Sequence, residues 1–162
     1  MKAERRSSAF LAFSRKESDM KSDDAKVLQE IQKNSSMALT AINTISEYVH
    51  DASLSRTLYG QSRKLEDIRN RAVDKLLSEG EEVQKNSAIS ELMLNSGIHM
   101  NTMMNTSTGH IAELMIKGNQ RGITDMWKMM NHHAMADKQT AELANELADF
   151  EADCLEQFRG FL

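Results

Sequence analysis

The sequence predicts an all-α protein, specifically an antiparallel four-helix bundle. Two observations carry that expectation. The 162 residues contain no proline and only seven glycines, so little interrupts a helix. Apolar residues also recur at three- and four-residue spacing through several long stretches, separated by short polar connections that hold good N-cap residues. A chain of this length builds one core.

Taken in order, residues 1–21 carry six basic and three acidic side chains, standing at +3 against −7 for the remainder. They lack helical apolar spacing, and the expectation is a disordered basic tail ahead of one helical domain over 22–162. SSAFLAF is too short for a secretory core, and RRSS reads as a solvated stretch with the form of a kinase site. Met20 precedes KSDDAKVLQEI, whose acidic first turn suits a helix start, which makes it an alternative initiator to Met1.

Val27, Ile31, Ala38, Ile42, Ile45 and Val49 then place a first helix over about 24–50. Asp51 or Ser53 caps a second, which carries Leu54, Leu58, Leu65, Ala72 and Leu76 and ends at Gly80. EGEEVQKNS leads to Asn86 or Ser87, either a suitable cap for a Met-rich helix from Ala88 to about Asn105. One straight helix from Ala88 to His132 would outrun its neighbours at about 1.5 Å per residue. The apolar phase also shifts after TSTG, to Ile111, Met115, Gly118, Gly122, Met126 and Met129, so the third element is expected to kink or break at Thr106–Gly109. Asp137 caps the last helix, from Lys138 to about Gln157.

An acidic body argues against nucleic acid. No apolar run approaches the roughly 20 residues of a membrane span, and a single cysteine excludes an internal disulfide and indicates a reducing compartment. The expectation is a cytoplasmic protein that self-associates; the sequence identifies no other protein partner.

Several polar residues fall on the apolar arcs. Ser35 lies between Ile31, Ala38 and Ile42. Arg69 aligns with Leu65 and Ala72, with Glu66 one turn before it, and Asn119 lies beside Gly118 and Gly122. Glu151 sits within the arc of Leu147, Phe150, Cys154 and Phe158. Buried polar groups need partners. Ser35, Glu66, Arg69, Asn119, Glu151 and Cys154 are therefore expected to form a core network, with Glu151 ionised and paired to Arg69 across the bundle.

That pattern resembles ferritin-like di-iron bundles, in which two helices each supply a Glu and two supply Glu-x-x-His. By that resemblance Glu66-x-x-Arg69 and Glu151-x-x-Cys154 occupy the Glu-x-x-His places, and Ser35 and Asn119 the places of single glutamates. The histidines are missing and a guanidinium stands where a metal would sit, so the network is read as metal-free and without cofactor. Three blocks over Lys26–Leu162, MALTAINTISEYVHDASLSRTL, STGHIAELMIKGNQRGITD and ELADFEADCLEQFRGFL, are similar to those of small cytosolic helical-bundle proteins of anaerobic Firmicutes that carry no assigned activity. The resemblance implies the fold and a start near Met20.

Other candidates have plainer readings. Nine of twelve methionines lie between Met93 and Met135, and His99 with Met103 one turn on has the spacing of a Cu(I) site, although Met stripes ordinarily fill cores. His132 and His133 point about 100° apart on a helix. His110 and Glu113 form H-x-x-E outside the apolar arc. Cys154 has no histidine spaced to activate it, and Gly118-x-x-x-Gly122 permits close helix approach. The expected function is a non-enzymatic interaction or accessory bundle. The alternative is a ferritin-like metal or redox protein using Glu66, Glu151, His110 and Glu113, with copper binding behind it.

Overall fold

The computed structural model describes residues 2–85 and 105–162, with side chains from residue 11 onward. Four helices form the bundle: α1 Lys2–Ser46, α2 Ala52–Ser78, α3 Thr108–His132 and α4 Lys138–Arg159. The chain makes two antiparallel hairpins, α1 with α2 and α3 with α4, the two most extensive helix pairings. α1 and α4 each also pack on the remaining helices, so they form the short diagonal of the bundle.

Helix ends follow local chemistry. Asp51 caps α2, its Oδ1 accepting from Ser53 N at 2.9 Å and Leu54 N at 2.7 Å. At the other end Gly80 takes φ 74°. Glu81 N–H then reaches back to Leu76 O at 2.9 Å and Gly80 N–H to Leu77 O at 3.1 Å, a Schellman closure. Ser107 caps α3 and Asp137 caps α4. A helix does start within TSTG: residues 105–107 are non-helical and α3 begins at Thr108, while the other side of the expected break lies outside the described residues. The expected Met-rich helix, with His99 and Met103, lies outside the described residues.

The core is built largely from the predicted arcs, with Leu28, Leu39, Ile68, Ala112, Ala144 and Ala148 added and Ala38, Val49 and Met129 only half-buried: Val27, Ile31, Ile42 and Ile45 meet Leu54, Leu58, Leu65, Ala72 and Leu76. Ile111, Met115 and Met126 meet Leu143, Leu147 and Phe158. Polar side chains of α1 fasten the connections. Gln32 pairs with both backbone groups of Gln84 (Nε2 to O 3.0 Å, N to Oε1 2.9 Å), and Gln29 donates to Glu82 O at 3.2 Å. Asp23 accepts from Met135 N at 3.0 Å and holds His133 Nδ1 at 2.9 Å, while Asp24 accepts from Asp137 N at 2.6 Å.

One expectation is corrected. The basic N-terminal stretch is not irregular but helical, as the first part of α1. Its lack of apolar periodicity has a different consequence: residues 11–22 are exposed, and burial begins at Asp24.

Nothing lies within 4 Å of a Cβ placed on Gly80, so its requirement is purely the left-handed backbone. Gly80→Ala is expected to cost about 1–2 kcal/mol in urea unfolding, and Gly80→Asn clearly less, because Asn tolerates that region. Equal costs would show that the turn is not held by its φ.

Candidate functional site

Glu151 is carried by α4 on the arc that buries Leu147 and Phe158, and it is 2% exposed. It fits because α3 presents Gly122 opposite it. A Cβ at Gly122 would fall 2.5 Å from Glu151 Oε1 and 2.8 Å from Asn34 Oδ1, distances that no side chain tolerates. Asn34, on α1, donates from Nδ2 to Gly122 O at 3.0 Å. α1, α3 and α4 thus meet at one glycine backbone, one amide and one carboxyl.

Beside this meeting point a cavity of about 290 Å³ opens between α1 and α3. Met37, Ala38, Ala41, Ile45 and Met115 give it an apolar wall, and Asn34, Asn119 and Glu151 its polar interior. Among the described residues Glu151 Oε2 and Asn119 Nδ2 are buried without a hydrogen-bond partner, as is His110 Nε2. At the mouth the charges are already paired: Lys33 with Glu30 at 2.8 Å, and Arg121 with Asp125 at 3.7 Å. Burial pushes the Glu151 carboxyl up from 4.5 to about 8; Asn34 offsets part of that rise, and the negative charge of Asp125 adds to it. The carboxyl is therefore protonated at neutral pH. Cys154, one turn away, is pushed up to about 12 by burial, then by the charges of Glu151 and Asp153, and stays an inert thiol.

The structure changes the expected network. Arg69 does not reach Glu151. Ile68 and Ala72 take the core arc of α2, which turns the neighbouring Arg69 about 100° outward. Its guanidinium donates to Asn70 Oδ1 at 3.3 Å, at an exposed position. Glu66 is exposed as well. Ser35 is fully buried but satisfied within its own helix, bonding Ile31 O at 2.6 Å and Gln32 O at 3.2 Å. Of the expected six, Glu151 and Asn119 share the cavity, and Cys154 is buried one turn further along α4, outside its lining. Glu151 is a neutral acid and has no arginine partner. Asn34 is the member that the apolar arcs did not pick out, and Gly122 was legible only as a packing residue.

The alternative metal ligands do not converge. His110 pairs loosely with Glu113 at 3.9 Å, Glu113 is closed by Lys117 at 2.6 Å, and Glu66 lies exposed on α2. Lys117 also holds Glu113 below the usual carboxylate range. His132 Nδ1 contacts Lys128 O at 2.7 Å, while His133 is turned to Asp23. Among the described residues, Asp24, Glu79 and Asp137 do gather their carboxylates within ligand distance. A protein cation already serves them: Lys75 Nζ lies 2.5 Å from Asp137 Oδ2, 2.8 Å from Thr140 Oγ1 and 3.8 Å from Glu79 Oε1. Burial works against ionisation of Asp137, but Lys75 and the Thr140 N–H hold it below its ordinary value.

Comparison with known proteins found no matching family model, curated protein or solved structure. No described helix is long and apolar enough to cross a membrane. Fold and site together define an all-α four-helix bundle with a neutral carboxylic acid at the crossing of three helices.

Two outcomes follow from this geometry. Folding raises the Glu151 pKa, so between about pH 4.5 and 8 the folded chain holds a proton that the unfolded chain has lost, and stability falls as pH rises through that window. Glu151→Gln, which mimics the neutral acid, is expected to flatten the slope and to exceed the native chain in stability at pH 8 by up to roughly 4 kcal/mol. Urea unfolding at pH 5 and 8 reads this, and an unchanged slope would mean that Glu151 is ionised in the fold. Gly122→Ala is expected to destabilise by about 1–3 kcal/mol, since Asn34 is pinned to the Gly122 carbonyl and Glu151 must turn into the cavity. A neutral result in the same assay would show that the three helices do not depend on this approach.

Proposed function

We propose that this chain is a non-enzymatic, cytoplasmic helical-bundle protein that acts by association, with a second copy of itself as the first partner, and that its polar interior is metal-free. The observation that carries this reading is the N-terminal part of α1. The helix begins at Lys2, yet from residue 11 onward the first buried side chain is Asp24, and Leu11 and Phe13 stand 65% and 69% exposed on the intervening arm. At about 1.5 Å per residue, those first turns extend some 30 Å. An arm of this kind has little reason to stay helical alone, because short isolated helices are marginal in water.

Charge favours a second copy as the partner. The arm stands at +3 and the rest of the chain at −7, so the arm of one copy is attracted to the body of another. The ionisable interior supports a non-enzymatic reading: Lys75 closes the Asp137 cluster, Glu146 is taken by Lys64 at 2.5 Å and Arg71 at 2.8 Å, and Cys154 is kept as a buried thiol. The ferritin-like resemblance contributes topology to this reading and no chemistry.

Sedimentation velocity of the full chain at tens of micromolar is expected to reveal a dimer or larger species that weakens in high salt. The double variant Leu11→Ser/Phe13→Ser is expected to run as a monomer with unchanged helical content. A native chain that is monomeric at low and high salt alike would overturn the proposal.

A further inference from the structure

The cavity beside Glu151 has features that helix packing does not require. Its walls are apolar along Met37, Ala41 and Met115, while Glu151 and Asn119 line its buried end, and Glu151 Oε2 and Asn119 Nδ2 are buried there without a hydrogen-bond partner. Native interiors rarely leave such groups unpaired, because each costs the desolvation of a polar atom. The volume of about 290 Å³ is well beyond one water and falls at the lower edge of the range for small-molecule sites.

We propose that this cavity is a binding site for a small organic ammonium ion, with Glu151 as its anionic anchor and the Met37–Ala41–Met115 wall receiving its apolar body. The charge pattern selects the sign. From α1, Glu30 and Lys33 face the cavity as a closed pair; from α3, Arg121 and Asp125 form another, and Lys117 is engaged with Glu113. From α4, Glu151 is the lining group, with the neutral Cys154 behind it, and α2 contributes no lining residue. The carboxyl is thus the one ionisable lining group among the described residues whose charge is not already matched.

An anion would find Lys33, Lys117 and Arg121 already engaged by carboxylates and no cation beside Glu151, and a neutral apolar molecule would leave Glu151 Oε2 unpaired. A metal ion would find one well-buried carboxylate, fewer donors than a resident divalent ion takes. An ammonium donates to Oε2 and matches the charge that Glu151 takes on, a charge-assisted bond at a buried carboxyl. An oxygen on the ligand can accept from Asn119 Nδ2, so amino alcohols satisfy both orphans.

Binding must displace the Glu151 proton, because the acid is neutral in the free protein at pH 7. Affinity therefore rises with pH until the carboxyl is ionised in the absence of ligand, near pH 8. Alkylammonium groups stay charged across that range, so the dependence reports Glu151. This site is independent of the association attributed to the α1 arm, and neither result decides the other.

The test is calorimetric titration of the full chain with hexylammonium, using hexan-1-ol as the neutral control. Affinity for hexylammonium is expected to rise about tenfold per pH unit between pH 6 and 7.5, with release of about one proton per ligand judged from buffers of different ionisation heat. Glu151→Gln is expected to weaken hexylammonium at least about tenfold and to leave hexanol unchanged. Its thermal midpoint shows whether the variant is folded. Ala38→Phe, which fills the cavity from α1, is expected to remove both ligands. No hexylammonium binding at millimolar concentration, equal binding by folded Glu151→Gln, or full binding by Ala38→Phe would each overturn the proposal.

Discussion

The close approach at Gly122 governs the interior of this bundle. A residue without Cβ leaves room on α3 for the Glu151 carboxyl and the Asn34 amide in their present positions, and Asn34 ties α1 to the same carbonyl. α1 and α4 form the short diagonal, so one contact sets the spacing of three helices at once. The cavity is a by-product of this spacing. It lies between α1 and α3 beside the glycine, with the small side chains of Ala38 and Ala41 on its α1 wall.

Electrostatics follow a consistent division. Outside the core, two clusters of charge are matched within the fold: Lys75 among its carboxylates and Glu146 between Lys64 and Arg71. Inside, Glu151 is buried without a cation among the described residues and is held neutral by desolvation. A carboxylic acid maintained in this way is cheaper than a buried ion and remains able to ionise when a cation arrives. That difference separates a polar interior that is merely packed from one that can respond to a ligand.

Much of the fold was legible from periodicity. The α2 arc, the Gly80 stop, the Asp51 and Asp137 caps and the break near Thr108 each rest on local chemistry that a single sequence displays. The site was half legible. Glu151 and Asn119 were found because they break an apolar arc, but a helical wheel does not say which helices meet, and the position of Arg69 turned on a single residue step beside Ile68. Asn34 could not be ranked above Ser35 without knowing that α3 passes closest there. The helical arm was missed because helix continuation from α1 needs no apolar stripe of its own.

The paired aspartates of α1 have a consequence for chain connectivity. Asp24 bonds Asp137 N across 113 positions, and Asp23 bonds Met135 N across 112, so the two hairpins are stapled by side chain to backbone at the turn between α3 and α4. The entropy of closing so long a loop changes slowly with its length, by only about 0.6 kcal/mol per doubling. The two hairpins therefore carry docking chemistry of their own, from side chain to backbone, at a point far along the chain from the segment that joins them.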